Sequence, residues 1–360
     1  MIVVVGAGIA GLSAALALAP FGDVMVLERR SEVAANAGAG IQLSPNAVKA
    51  LDAIGARAAV ESVAARPEGM EIIAAGRRRP TLSLNYGAEV EQLFGAPYLT
   101  VSRAGLYGAL YRLASEHPRI AITFERPVER ATGTGDGWSV SGERASFLVA
   151  ADGVNSAIRR ALLGDGPEED GHIAWRGTAH EPGGSRTRLV LAGGAHLVRY
   201  ALGASSDNAV LVTPTRTNHP QLLARTRLGP AMAGIHRWTP WPIKVRRRHR
   251  FGEGTLALVG DASHAMPPFL AQGGAMALED AAVLGAAVSA HGLTAAARET
   301  YEAQRRPRTT RLARQTDRKG LIYHLPAPFS LARDLALARL GPDGVWRQVG
   351  WVYAWSPPAG

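Results

Sequence analysis

Ile2-Val-Val-Val-Gly6-Ala-Gly8-Ile-Ala-Gly11-Leu12, continued by an Ala/Leu run as far as Pro20, reads as an apolar strand, a glycine turn and a helix in immediate succession. Val24–Leu27 is a second apolar strand, and it ends at Glu28, 17 residues after Gly11. Strand, turn, helix and strand make a βαβ unit of a parallel sheet. In the GxGxxG turn each glycine has its own task. Gly6 permits the tight bend, Gly8 lets the backbone approach a pyrophosphate, and Gly11 allows close helix–strand packing. The helix N-terminus adds free N–H groups and a partial positive charge. Glu28 can accept hydrogen bonds from both hydroxyls of a ribose. The unit is therefore read as a dinucleotide site, and alone it leaves FAD and NAD equally open.

Two further strand-to-turn motifs follow in order. Phe147–Ala151 is a short continuous apolar run, as in a buried parallel strand, and it ends in Asp152-Gly153 with Ser156 and Arg159 at a helix start. Leu256-Ala-Leu-Val-Gly260-Asp261 repeats the pattern. Two prolines then stiffen the path, and Gly273-Gly274 opens a long apolar helix whose N-terminus suits negative charge. Between Trp175 and Ile243 the pattern changes to alternating strands with few helices, which suggests an inserted sheet domain for substrate. Helices are expected at Pro45–Ile54 and Leu106–Ala114 and over most of 295–340, strands around Met70–Leu84, and turns at Gly133–Gly137 and Gly203–Asn208.

Composition narrows the class. With 360 residues, 47% of them hydrophobic, the chain buries a large core and divides into two connected domains. It has no cysteine, which excludes disulfides, thiol catalysis, cysteine metal sites and a cysteinyl-flavin link; no metal is expected. No run approaches a membrane span, no signal peptide is seen, and a cytoplasmic location is expected. Forty basic against 30 acidic residues give a net charge of +10, which attracts anions such as dinucleotides and carboxylate substrates. The densest basic run, Lys244-Val-Arg-Arg-Arg-His-Arg250, reads as a solvated turn before a strand at Thr255–Val259. It carries no nucleic-acid motif, and no nucleic-acid partner is expected.

The ordered set of GAGIAG with Glu28, Asp152-Gly153 with Arg159, and Gly260-Asp261 with Gln272-Gly273-Gly274 resembles the group A flavoprotein monooxygenases. These include the para-hydroxybenzoate, salicylate, 3-hydroxybenzoate and 6-hydroxynicotinate hydroxylases, and the resemblance spans almost the whole chain. It implies an α/β fold: a Rossmann-like (GR2-type) FAD-binding domain with an inserted, mainly antiparallel substrate domain and C-terminal helices. The FAD-binding part would comprise residues 1–70, 98–172 and 253–345, the substrate sheet 71–97 and 173–252, and a C-terminal tail 346–360. Non-covalent FAD would lie against Gly6, Gly8, Ala10, Gly11, Glu28, Arg29, Gln42, Arg103, Val128, Asp152, Arg159, Asp261, Gly273, Gly274 and Ala275. Within that set Glu28 would hold the ribose of the AMP half, Arg103 the pyrophosphate, Asp261 the ribityl chain, and the N–H groups of 273–275 the flavin pyrimidine. Asp152 and Arg159 would shape the motif that serves both FAD and the nicotinamide cofactor, NADH or NADPH. No second GxGxxG occurs, so that cofactor would bind transiently.

On the substrate side, His196, Val198 and Tyr200 alternate along a strand and share a face. The segment resembles the His-x-x-x-Tyr of 3-hydroxybenzoate and 6-hydroxynicotinate hydroxylases, where the pair holds and deprotonates the substrate hydroxyl. By the same resemblance Gln272 touches substrate, and Tyr98 and Pro268 line the pocket. His264 reads as structural. The implied reaction is hydroxylation of a small phenolic, carboxylated ring with O2, through a flavin C4a-hydroperoxide, by a monomer or homodimer. Epoxidation or hydroxylation of a non-aromatic or polycyclic substrate is the alternative within the class. An NAD-dependent dehydrogenase would leave two of the three motifs without a role, and a flavin-binding protein without turnover is the third reading.

Overall fold

The computed structural model describes residues 1–31, 40–179, 184–203, 206–216 and 220–358. Ile2–Val5 lies inside a six-stranded sheet, paired in parallel with Phe147–Ala150 on one side and Val24–Leu27 on the other. Ile120–Thr123 and Leu256–Leu258 extend the parallel ladder, and Gly252–Glu253 closes one edge antiparallel. Every residue of Ile2–Val5 is buried because the sheet is covered on both faces. Ile2 and Val4 pack with the helices Ile9–Leu18, Arg103–Ser115 and Gly273–His291. Val3 and Val5 pack beneath an antiparallel meander at 131–145.

A second sheet of seven strands runs in the spatial order His236–Val245, Glu168–Ala179, Asp207–Pro214, Ala195–Ala201, Arg186–Ala192, Gly69–Ala74 and Leu82–Asn85. All its pairings are antiparallel except that of 69–74 with 186–192. It begins slightly earlier than the expected 71 and 173, at Gly69 and Glu168. The expected turn at 203–208 includes residues 204 and 205, which lie outside the described residues. Among the described residues no helix is long and apolar enough to cross a membrane.

Two expectations need correction. No separate tail begins at 346, because the helical segment Phe329–Tyr353 runs through that point. It breaks earlier, at Gly341, where φ is 64° ahead of Pro342. Trp346 is buried, its ring 6.1 Å from Tyr86 and 5.8 Å from Phe94, and Tyr353 packs on Phe94 and Tyr98. Nor is the basic run a wholly solvated turn. Arg246 is buried and donates to the Asp165 carboxylate and the Val154 carbonyl, and only its neighbours Arg247, Arg248 and Arg250 are exposed. Hydrogen-bonding and charge complementarity at one position overrode the solvation expected of the run.

The long helix Gly273–His291 carries Glu279 and Asp280, both completely buried. Arg305, buried on the helix Ala295–Tyr323, donates to both carboxylates. Arg308 adds a two-pronged contact to Glu279 at 2.6 and 2.7 Å, and Asn46 donates to it at 2.7 Å. The Gly260 amide and the His264 ring each sit 2.7 Å from Asp280 Oδ2. Burial alone would push the Asp280 carboxyl up. His264 and Arg305 reverse that and hold it below its usual range. Its stabilising contribution is therefore complete above the ordinary carboxylate pKa of about 4 and is lost as the pH falls below it. Arg305→Met should cost about 3–5 kcal/mol in denaturant unfolding at pH 7, since it leaves buried carboxylates uncompensated. Arg311→Met, which removes only a surface cation stacked on Trp351, should cost under about 1 kcal/mol. Similar costs for both would mean that the buried network does not anchor the fold.

Candidate active site

The glycine turn is built as the spacing predicts. Gly6 has φ 103°, and a Cβ there would meet the Ala151 carbonyl at 2.6 Å. A Cβ on Gly11 would lie 1.7 Å from the Gly6 carbonyl oxygen, so helix and strand touch through glycine alone. At Gly8 a Cβ would meet nothing within 4 Å, and the same holds at Gly273, the first residue of the long helix. Open space at these two helix starts is what an approaching ligand backbone requires. Ala10 packs against Gly260, which links the first turn to the third.

Charged groups face the same cleft. Glu28 is buried at the end of its strand, where Oε2 accepts from the Ala7 amide at 2.9 Å and Oε1 from the Arg30 amide and side chain. Burial opposes its ionisation, but the Arg30 and Ala7 hydrogen bonds prevail and keep it below the usual carboxylate range. Arg29 beside it is exposed. Asp152 Oδ2 caps a helix by accepting from Ala157 at 2.8 Å, while its buried Oδ1 has no partner. Asp261 is exposed at the start of its own short helix. Arg103, half-buried, feels the charges of Asp261 and Arg30, and its guanidinium donates to no acceptor among the described residues. An unpaired guanidinium, an orphaned carboxylate oxygen and two open helix starts fit a ligand that combines phosphates with ribose hydroxyls.

Other expected contacts fall differently. Arg159 is buried, and all five of its N–H groups are taken: by Asp165 twice, and by the carbonyls of Ala262, Ser263 and Arg248. No guanidinium N–H is left over for a cofactor, and the side chain ties the Asp152 helix to the Asp261 turn. Gln272 is engaged in part. Its amide donates to Ser44 at 2.8 Å and its carbonyl accepts from Asn46 at 3.0 Å, which holds the side chain in place and leaves one N–H and one lone pair for another contact. Polar neighbours distant in the sequence engage both side chains, which spacing alone does not disclose. Val128 is a core residue beside the Val5 and Leu27 cluster. Pro268 is exposed, and its neighbour Phe269 is buried. His264 is bonded to Asp280, in the structural role expected of it. Gln42 and Tyr98 are brought together: the Tyr98 hydroxyl donates to Gln42 Oε1 at 2.8 Å, and Tyr86 stacks on Tyr98 at 4.5 Å.

One face of the seven-stranded sheet forms the palm of the candidate substrate site. Cross-strand partners share a face, so the rows Arg176–Val210–Val198 and Thr178–Asn208–Tyr200 look the same way. His172 lies on this face too, two positions from Ala174, which with Val212 shares the row of His196. The opposite face, with Trp175, Leu197 and Leu211, packs against Leu228 and Met232.

His196 and Tyr200, expected as a pair, address opposite ends of the palm, about 13 Å apart along the strand. Tyr200 abuts Gly40, where a Cβ would come within 2.7 Å of its hydroxyl. Burial raises the Tyr200 phenol well above its ordinary range, against the pull of Arg176 and Asn208, so it stays protonated at neutral pH. His196 is enclosed by Phe269, Tyr323 and His324, with its Nδ1 2.9 Å from His324 Nε2. Arg176, His172, Tyr323 and His324 were not found by sequence reasoning. Arg176 and His172 alternate on one strand, a signal that only the register turns into a site.

Arg176 stacks on Trp241 at 4.6 Å and feels Arg103, Tyr200 and Asp261. Its guanidinium donates to no acceptor among the described residues. Cofactor cradle and palm therefore meet at Arg103, Arg176 and Asp261.

Residues 1–231 and 218–316 match the FAD binding domain family. The chain belongs to this family. It is a flavoprotein monooxygenase and binds FAD. Over 382 residues it is 31% identical to 3-hydroxybenzoate 6-hydroxylase of Klebsiella oxytoca, covering 98% of this chain and 96% of that one. It is also 31% identical over 371 residues to 3-amino-4-hydroxybenzoate 2-monooxygenase PtnB3 of Streptomyces platensis, covering 93% and 92%. Among solved structures, HpxO of Klebsiella pneumoniae complexed with FAD and uric acid superposes with a TM-score of 0.84 at 25% identity, covering 100% of this chain and 98% of that one.

The two tight glycines and the open one separate folding from cofactor binding. Gly8→Ala should leave the melting temperature of the FAD-free flavoprotein within a degree or two, because the added carbon meets nothing and φ is −78°. It should still weaken FAD at least about tenfold in a fluorescence titration, a loss of about 1.4 kcal/mol. Undiminished FAD affinity in Gly8→Ala would remove the pyrophosphate from this turn.

Proposed function

We propose that this flavoprotein hydroxylates a small aromatic ring bearing both a hydroxyl and a carboxylate, with NADH or NADPH as reductant and O2 as oxygen source. The observation that carries the reading is the palm, which sets a free guanidinium, a protonated phenol and a neutral imidazole on one sheet face towards the cofactor cradle. The names of the two relatives describe hydroxylated benzoates, which carry both substituents.

Bound FAD supplies the electrons and the activated oxygen; the chain supplies everything that places and polarises the ring. Arg176 and Tyr200 form the anion end. A cation and a hydroxyl donor together match a carboxylate, and a charge-assisted pair also fixes its orientation. His196 forms the hydroxyl end. With its Nδ1–H donated to His324, its Nε2 keeps a free lone pair, and it makes no hydrogen bond to the described residues. Taking the phenolic proton there makes the ring electron-rich, a step typically worth about 10²–10⁴ in rate. Burial, with the nearby His324 and His172, holds His196 well below its ordinary pKa, so the base stays available below pH 6.5. Phe269 and Tyr323 keep that end apolar.

Arg176→Met should raise KM for 3-hydroxybenzoate about 10- to 100-fold, the scale of a charged hydrogen bond. The same variant should barely change KM for uncharged 3-hydroxybenzyl alcohol. Equal effects on both compounds would remove Arg176 from the anion end. Tyr200→Phe should slow product formation while leaving FAD affinity unchanged, and unaltered product formation would sink its role.

A further inference from the structure

His196 does not end in packing. Its Nδ1 lies 2.9 Å from His324 Nε2, and the His324 ring lies 5.0 Å from that of His172. His172 Nδ1 is in turn 2.7 Å from Asp170 Oδ2. His196 is 2% exposed, whereas His324 is half-buried and the His172 side chain is 24% exposed. The row thus leads from the enclosed hydroxyl end of the palm to solvent, across two distant parts of the chain. Asp170 and His172 stand on the first long strand of the palm, and His324 caps the helix Ala295–Tyr323. Phe269 stands edge-on to both His172 and His324, walling the row on one side.

A buried base that accepts a proton in each turnover must release it before the next. Among the described residues His196 has no hydrogen-bond partner other than His324. We propose that His324, with His172 and Asp170, is the proton exit of this site, a reading that rests on the hydroxylase function above. The transfer balances without a redox partner. The substrate O–H bond breaks as a proton joins His196 Nε2. His196 Nδ1 then gives its proton to His324 Nε2, and His324 releases the proton on its Nδ1 towards His172 and water. Each imidazole is left neutral with its tautomer exchanged, and ring rotation or back-transfer after product release restores it. The oxygen keeps the electron pair that activates the ring.

The charges facing the row suit a carrier. Burial and the nearby His172 and Arg333 lower His324 to about 4, against the pull of Asp170, so it is neutral at pH 7 and free to accept. Arg333 stands on the facing helix and donates to the Tyr323 carbonyl. Asp170 pairs with Arg247, which also holds Asp317, so the outer end of the row is anchored at the surface. His324 and His172 act through His196 and are positioning and relay groups, not contacts to substrate.

The holoenzyme is assayed with 3-hydroxybenzoate, whose ultraviolet absorbance reports ionisation of the hydroxyl. His324→Gln keeps a hydrogen-bonding side chain beside His196 but cannot pass a proton on, and His172→Gln tests the outer step. In a stopped-flow mix at pH 7 and low buffer, His324→Gln should ionise bound 3-hydroxybenzoate at least about tenfold more slowly than the wild type. Added imidazole should restore most of the loss in the variant and do nothing for the wild type. FAD affinity and dissociation constant for the probe should stay within twofold, and His172→Gln should show a smaller, buffer-sensitive defect. Wild-type ionisation rates in His324→Gln with hydroxylation intact would overturn the relay and leave the hydroxylase reading standing. A uniform loss that imidazole does not rescue would assign His324 to packing and also overturn the relay. A wild type that yields no oxygenated product with any carboxylated phenol would overturn the function, and the relay with it.

Discussion

Two adjacent carboxylates inside a helix, each wholly removed from water, must be neutralised where they stand. Glu279 and Asp280 meet that requirement with Arg305, Arg308, Asn46, His264 and the Gly260 amide. Desolvating so many charges gains little net stability over an apolar core, but it ties their positions tightly together. Asp280 fixes Gly260, whose φ of 58° turns the chain so that Asp261 faces the cleft. Glu279, through Asn46, fixes Gln272 and hence the start of the long helix. Arg159 does the same from the other side, gripping Ala262 and Ser263 with groups that would otherwise be free for a ligand. The candidate cofactor cradle is thus held by a polar network within the protein itself.

The sequence discloses the first half of this arrangement well and the second half poorly, for a physical reason. Short-range constraints leave local marks. A turn that cannot tolerate a Cβ at Gly6 or Gly11 shows as glycine, and a fully covered strand shows as an unbroken apolar run. The βαβ start, the two later strand-to-turn motifs and the alternating insert could all be read in that way. The roles of Arg159 and Gln272 could not, since their partners are set by the fold and the same residue type would serve a ligand equally well. The same holds for Arg246 within its basic run, where one position of seven turns inward to Asp165. His324 and Tyr323 lie more than a hundred residues from the strand whose His196 they enclose, so no local spacing announces them.

The two sheets divide the chemical labour by the way their faces are covered. The parallel sheet is sealed on both sides, and its candidate ligand groups therefore sit only at strand ends, where Glu28, Asp152 and Asp261 appear. The antiparallel sheet is sealed on one side, so every second residue of its inner strands is available to the pocket. That is why Arg176, His196 and Tyr200 come from the middles of strands. A strand-borne pocket is stiff, and its spacing is quantised by the two-residue repeat. Ligands of different size are then accommodated by changing side chains along a row.

The strand order of the parallel sheet also bears on how the molecule is made. Ile2–Val5, at the head of the chain, is central in space, and one flank consists of Phe147–Ala150 and then Leu256–Leu258. During synthesis the dinucleotide motif therefore emerges early, yet its sheet lacks its third motif until residue 261 has been made, and the palm lacks His324 for longer still. Pairings between such distant segments form slowly, because a long loop must be closed before any contact rewards it. A nascent chain held at the midpoint would display the Phe147–Ala150 strand with an unpaired side, since its partner Leu256–Leu258 is not yet made, a surface suited to holding by a chaperone. The early glycine motif and its late partners thus make the arrival of the segment around Leu256–Asp261, more than any local propensity, the step that assembles the three strand-to-turn motifs.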